Sequence, residues 1–114
     1  MKSIPIVEDD VFTALDLKSI LKKIGVVENA NDGLEALEKI KQKSYDLIIT
    51  DDNMPRMCGE ELYKELSALN KDLAKRIIFL SANLTDFMRS TGCTCLEKPF
   101  TDEQLIEAVK KLIR

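Results

Sequence analysis

Acidic residues close two of the apolar runs in this sequence. Ile6-Val7 leads into Glu8-Asp9-Asp10, and Leu47-Ile48-Ile49-Thr50 leads into Asp51-Asp52. A hydroxyl, Ser81, closes a third run, Ile77-Ile78-Phe79-Leu80. An amine, Lys98, follows a fourth, Cys95-Leu96-Glu97. Each feature alone is ordinary. An acidic run is usually a solvated loop or a helix cap, and Asp10 suits a cap. A lone lysine is usually solvated, and a serine ending a strand is usually a turn residue. Four such features on four strand ends of one sheet are much harder to explain that way. Carboxylates converging in one crevice repel one another, and their pKa values rise unless a cation is present. A hard divalent cation resolves the conflict. Mg²⁺ takes one or two carboxylates and keeps positions open for water and phosphate oxygens. An amine opposite it, Lys98, completes a pocket for a dianionic group, and one carboxylate can then act as a nucleophile that forms an aspartyl phosphate.

Composition narrows the chemistry. The chain has no histidine, which removes Ser-His-Asp, Cys-His and histidine acid-base catalysis. Any catalysis must run on carboxylates, Lys98, hydroxyls, a metal or the backbone. A net charge of -3 argues against nucleic-acid binding through a broad basic face. Cys58, Cys93 and Cys95 are odd in number and do not suggest a disulfide framework. Cys93-Thr94-Cys95 resembles half of a metal site, but no second cysteine pair or histidine completes it.

The elements that position these residues follow from periodicity. The 114 residues suit one domain, 1–114. Ser3–Val7 reads as a first strand. Leu17, Ile20, Leu21 and Ile24 follow helical spacing, with Gly25 as a stop. Val26–Asn29 is a second strand, and Gly33–Lys43 a helix with Leu37 and Ile40 inward. The continuous run Leu47–Ile49 suits a strand covered on both faces. Leu62, Leu66 and Leu69 mark a third helix, and Ile77–Leu80 a fourth strand. Cys95–Glu97 is a short fifth strand, and Leu105, Ala108, Val109 and Leu112 share one face of a last helix. Thr101 and Gln104 have capping-box spacing at its start. Alternating strands and helices imply a parallel sheet with helices on both faces. Five strands at this length suit a flavodoxin-like sheet of order 2-1-3-4-5, with its site at the carboxyl ends of the strands.

At this point the motifs resemble those of a known family. Val7-Glu8-Asp9-Asp10, then Asp46-Leu47-Ile48-Ile49-Thr50-Asp51 with Met54-Pro55 and Gly59, then Leu80-Ser81-Ala82 and Lys98-Pro99-Phe100 are similar to the receiver domains of two-component response regulators and hybrid histidine kinases. The resemblance runs from Ile4 to Arg114. It implies that Asp51 is the phosphoacceptor, three residues before Met54. Asp52 sits one place too late, and in an extended strand end its side chain points to the other face. By the same resemblance Glu8 and Asp9 are the acidic pair for Mg²⁺, with Asp9 the direct ligand, Mn²⁺ a substitute, and the backbone carbonyl of Asn53 a further ligand. Lys98 pairs with the phosphoryl group, Ser81 is the hydroxyl that moves onto it, and the Lys98-Pro99 bond is cis. The phosphodonor is a histidine kinase or phosphotransfer protein. The chain is no enzyme beyond its own phosphorylation and dephosphorylation.

Three departures stand out. Cys95 takes the place, three before the lysine, where the family usually has an aromatic switch residue. Only residues 82–94 separate Ser81 from the fifth strand, which leaves the fourth helix about two turns at most, or none. Pro5 lies within a strand expected to be internal, where it removes a ladder donor. The alternatives are a degenerate receiver acting only as an interaction module, a flavodoxin-like enzyme or nucleotide binder, and an Asp-nucleophile phosphatase. The intact set Glu8, Asp9, Asp51, Ser81 and Lys98 argues against the first. Glu8-Asp9-Asp10 stands where a nucleotide binder needs a Gly-rich or Ser/Thr-rich loop, and a phosphatase nucleophile is expected after the first strand. The N-terminus, Met1-Lys2-Ser3-Ile4-Pro5, lacks an apolar signal region, and no run approaches the ~20 apolar residues of a membrane span. A cytoplasmic location without membrane contact is expected.

Overall fold

Burial on both faces of the apolar runs sets the architecture. The computed structural model describes residues 2–52 and 56–113. Its elements in chain order are β1 (Lys2–Val7), α1 (Val11–Leu21), β2 (Gly25–Ala30), α2 (Gly33–Gln42), β3 (Ile48–Asp51), α3 (Gly59–Leu69), α4 (Lys71–Ala74), β4 (Ile77–Ser81), α5 (Asp86–Ser90), β5 (Thr94–Glu97) and α6 (Asp102–Leu112). The five strands form one sheet in the order β2-β1-β3-β4-β5, and each adjacent pair is parallel. Alternation along the strands splits the core in two. Val7, Ile48, Ile77 and Phe79 pack with α2 and α3 through Leu37, Leu62 and Leu66. Ile6, Ile49, Ile78 and Leu80 pack with α1 and α6 through Leu17, Leu105 and Val109. All five residues of β4 are buried, as a central parallel strand requires.

The helix ends follow local chemistry. Asp10 caps α1 by accepting from the Thr13 backbone N–H at 3.0 Å and from its hydroxyl at 2.6 Å. Asp32 caps α2 through the Glu35 N–H. The expected capping box at α6 is formed: Thr101 N–H donates to Gln104 Oε1 at 2.8 Å, and Gln104 N–H donates to Thr101 Oγ1 at 3.1 Å.

Several expectations need correction. Helix α1 ends at Leu21, so Ile24 lies beyond it and Gly25 begins β2, paired with Lys2. The reversal is made by residues 22–24, where Ile24 N–H donates to the Leu21 carbonyl, and Ile24 still packs on the α1/α6 core. Helix α2 ends at Gln42, with Lys43 extended. Leu69 is exposed rather than inward. The chain leaves helical geometry at Asn70, whose side chain caps the extra turn α4, and buried Leu73 takes the inward place. The segment between Ser81 and β5 holds only the five-residue helix α5, within the two turns expected. Thr91 closes that helix and Gly92 follows it, where φ of +76° suits a residue without Cβ.

Pro5 is accommodated by the register. The Glu8 N–H donates toward β2, to the Ala30 carbonyl. Alternation therefore puts the missing Pro5 donor on the β3 side. Pairing of β1 with β3 begins only at Ile6, so the lost donor falls just outside that ladder.

Candidate functional site

The carboxyl ends of β1, β3, β4 and β5 meet at one edge, and the loops that follow carry the polar residues. Glu8 and Asp9 follow β1. Asp51 ends β3, Ser81 ends β4, and Lys98 follows β5. Carboxylate oxygens of Glu8, Asp9 and Asp51 all lie within 4.8 Å of one another. Asp9 is exposed, Asp51 half-buried, and Glu8 only 3% exposed. The Lys98 ammonium donates to Asp51 Oδ1 at 3.2 Å, and the Asp52 backbone N–H donates to the same oxygen at 2.9 Å. Among the described residues Asp51 Oδ2 therefore keeps its lone pairs free. The Lys98-Pro99 bond is cis, and the Lys98 N–H is tied to the Ser81 carbonyl at 2.8 Å.

Glu8 carries the electrostatic strain of the group. Burial, first, pushes its carboxyl from 4.5 up to about 7; the Asp51 charge adds to this, while the Asp10 N–H bond and the Lys98 charge oppose it. Its Oε2 accepts from the Asp10 N–H at 3.1 Å. Its Oε1 is buried with no hydrogen-bond partner among the described residues. An unpartnered buried carboxylate oxygen beside two other carboxylates is a donor set that fits a hard divalent cation.

Asp52 is not in this group. Burial, first, and the charges of Glu60 and Asp51 push its carboxyl up, and it lines the cleft beside Asp51 together with Ser81 and Thr85. Asn53, whose carbonyl was expected as a ligand, lies outside the described residues with Met54 and Pro55. Gly59 sits where the β3–α3 loop closes on the site. A Cβ there would come within 3.1 Å of the Asp51 carbonyl oxygen, so a larger residue would have to push the end of β3 aside by a few tenths of an ångström.

Ser81 faces a cleft of about 400 Å³ lined by Asp51, Asp52, Ser81, Ala82, Asn83, Thr85 and Lys98. Its hydroxyl is engaged within the β4–α5 loop: it donates to the Asn83 carbonyl at 2.9 Å and accepts from the Asn83 N–H at 3.1 Å. Cys95 lies in β5 against the α2/α3 core, with its thiol donating to the Met88 carbonyl. Burial pushes that thiol's pKa up, which disfavours the reactive thiolate.

Sequence reasoning missed two groups at this edge. Buried Asp32 receives the Arg56 guanidinium at 2.6 Å, which fastens the β3–α3 loop to the start of α2. Arg56 adopts φ of +63°. Thr85 lines the cleft and donates to Glu60 at 2.6 Å. No spacing rule pairs residues 24 or 25 apart across a sheet edge.

Comparison with known proteins agrees with this geometry. The family model described as the response regulator receiver domain matches residues 4–110. The chain is 35% identical over 120 residues to the transcriptional regulatory protein CpxR homolog of Haemophilus influenzae, covering 100% of this chain and 51% of that protein. It is 41% identical over 105 residues to the sensor protein EvgS of Escherichia coli K12, covering 87% of this chain and 9% of that protein. The chain thus spans about half, or less, of the length of these relatives. The crystal structure of the response regulator TrrA of Thermotoga maritima in complex with Mg²⁺-BeF superposes with a TM-score of 0.89 at 34% identity, covering 99% of this chain and 100% of that one. The chain belongs to the response regulator receiver domain family of two-component signalling.

Proposed function

We propose that the chain is one receiver domain over residues 1–114 that accepts a phosphoryl group on Asp51 from a phosphohistidine. The observation that carries this reading is the joint geometry at Asp51: three carboxylates within 4.8 Å, with the Lys98 ammonium 3.2 Å from Asp51 Oδ1. In the transfer, an Asp51 oxygen attacks phosphorus, the new P–O bond forms as the donor's P–N bond breaks, and the imidazole leaves with a proton. Asp51 Oδ1 is held by Lys98 and the Asp52 N–H, which leaves Oδ2 to make the new bond. Lys98 then pairs with the phosphoryl oxygens, where a charge-assisted bond is strongest. Ser81 must give up its bonds to Asn83 to reach them. Glu8, Asp9 and Asp51, together with the Asn53 carbonyl, would hold Mg²⁺ or Mn²⁺, which would supply neutralisation of the dianion.

The donor histidine lies on another domain or protein, since this chain has none. A sensor protein among its relatives supports a histidine kinase or phosphotransfer protein in that role. The chain's own chemistry is confined to its aspartyl phosphorylation and dephosphorylation. Among the described residues no helix is long and apolar enough to cross a membrane; a cytoplasmic setting suits a kinase-linked role. Incubation with acetyl phosphate tests the reading by intact-mass spectrometry. One phosphoryl adduct is expected with Mg²⁺ or Mn²⁺ and none with a chelator. Equal labelling with and without the cation overturns it.

A further inference from the structure

Two hydroxyls line the cleft beside Asp51, and the phosphorylation chemistry uses only one. The second is Thr85, at the start of α5. Its oxygen accepts from the Met88 N–H at 3.1 Å and so caps the helix. Its hydroxyl proton goes to Glu60 Oε1 on α3, at 2.6 Å. This short, charge-assisted bond is the polar tie between the two helices. Behind it lies an aromatic contact between the same helices. Tyr63 of α3 meets Phe87 of α5 edge-on, with ring centroids 5.8 Å apart, and the Lys64 ammonium sits 5.1 Å from the Phe87 ring centroid. Tyr63 also reaches Phe79 in β4. The α3–α5 contact is therefore tied to the cleft at one end and to the core at the other.

We infer that the Glu60–Thr85 pair is the charge-sensing relay of this receiver, through which a phosphoryl group on Asp51 loosens the Tyr63–Phe87 contact. This rests on the phosphoacceptor reading above and names the regulation of that same site. An aspartyl phosphate carries about two negative charges where the carboxylate carried one, and it presents three acceptor oxygens. Glu60 is bonded to Thr85, which lines the same cleft as Asp51, so its carboxylate faces added repulsion when the negative charge at Asp51 grows. The new oxygens also compete for the Thr85 proton. Both effects act against the same bond. Its loss frees the start of α5, a helix of only five residues, and moves Phe87 relative to Tyr63. Cys95, which has no ring to swing, packs on the same core as Phe79 and Met88 and is left as a passive wall. The output face is accordingly the α3–α5 surface around Tyr63, Lys64 and Phe87, not the β5 edge.

The test is an amide chemical-shift map of the isotope-labelled full chain with Mg²⁺, before and after beryllofluoride, for wild type, Glu60→Gln and Thr85→Val. Wild type is expected to shift at Ser81 and Asn83 and also at Tyr63 and Phe87. Glutamine keeps the acceptor oxygen but has no charge to repel, so Glu60→Gln should keep the Ser81 and Asn83 shifts while losing those at Tyr63 and Phe87. Valine keeps the shape but removes both the tie to Glu60 and the cap on the Met88 N–H. The resting spectrum of Thr85→Val should therefore already be displaced at Tyr63 and Phe87 toward the wild-type bound positions, and beryllofluoride should move them little further. Uptake of beryllofluoride by wild type without shifts at Tyr63 and Phe87 overturns the relay alone. So does a Glu60→Gln map that matches wild type. Failure of wild type to take up beryllofluoride overturns the phosphoacceptor reading, and the relay with it.

Discussion

Replacing Glu8 with glutamine should stabilise the metal-free protein at neutral pH, and the gain should vanish in acid. Glu8 is 3% exposed, its Oε1 has no partner among the described residues, and burial holds its pKa at about 7 rather than 4.5. The folded state keeps the proton longer than the unfolded state does. The contribution of Glu8 to stability is therefore complete below its unfolded pKa and is lost as pH rises toward the folded one. The displacement is about 2.5 in pKa; at ~1.4 kcal/mol per pH unit, ionising Glu8 costs the fold about 3 kcal/mol at pH ~8 and under ~1 kcal/mol at pH ~5. Glutamine has nearly the same shape and can still accept from the Asp10 N–H. Its amide offers donors to the neighbouring carboxylates in place of a repelling charge. At roughly 4 °C per kcal/mol for a domain of this size, Glu8→Gln should melt up to about 12 °C above wild type at the higher pH and within a few degrees of it at the lower. Thermal melts by circular dichroism in chelator, across that pH range, are the assay. A Glu8→Gln protein that melts below wild type at pH ~8, or a difference that does not depend on pH, would refute the strained-carboxylate argument.

Other perturbations probe the rest of the edge. Mg²⁺ at ten times its Kd should stabilise wild type by ~1.4 kcal/mol. Asp51→Asn should raise the metal-free Tm, because its charge is one of those pushing Glu8 up, and should shrink the Mg²⁺ shift; a lower metal-free Tm with no Mg²⁺ effect on either protein would contradict the site. Lys98→Ala removes a charge that lowers the Glu8 pKa, so the Glu8 titration followed by NMR should move upward, Mg²⁺ binding should hold or improve, and beryllofluoride affinity should fall about tenfold or more. Asp32→Ala removes the α2 cap and strands Arg56, and should cost at least about 1–2 kcal/mol in urea melts; a neutral result would show that the clamp holds nothing.

The sheet was legible because each strand is a nearly unbroken apolar run and each site residue stands directly after one. Glu8, Asp9, Asp51, Ser81 and Lys98 could be singled out by strand-end position, while the choice of Asp51 over Asp52 and the role of each residue came from the family resemblance. Helix ends were harder to read. Ile24 continues the apolar period of α1 past its last helical residue, because the α1/α6 core accepts it from the turn as readily as from a helix. Leu69 fits the period of α3 but is exposed, since Asn70 restarts the chain as α4 and Leu73 fills its place. The ties Arg56–Asp32 and Thr85–Glu60 left no local pattern. They depend on which loops the finished sheet places side by side, a property of the topology rather than of any window of sequence.

The central claim is that Asp51 is the phosphoacceptor. Acyl phosphates, unlike free carboxylates, are reduced by borohydride to the alcohol, so a phosphorylated aspartate becomes homoserine. The protein should be treated with acetyl phosphate and Mg²⁺, reduced, digested and sequenced by tandem mass spectrometry. Homoserine at position 51, absent when Mg²⁺ or acetyl phosphate is withheld, is the result expected. Homoserine at Asp52 or another carboxylate, or at none while the intact protein carries a phosphoryl group, would contradict the account.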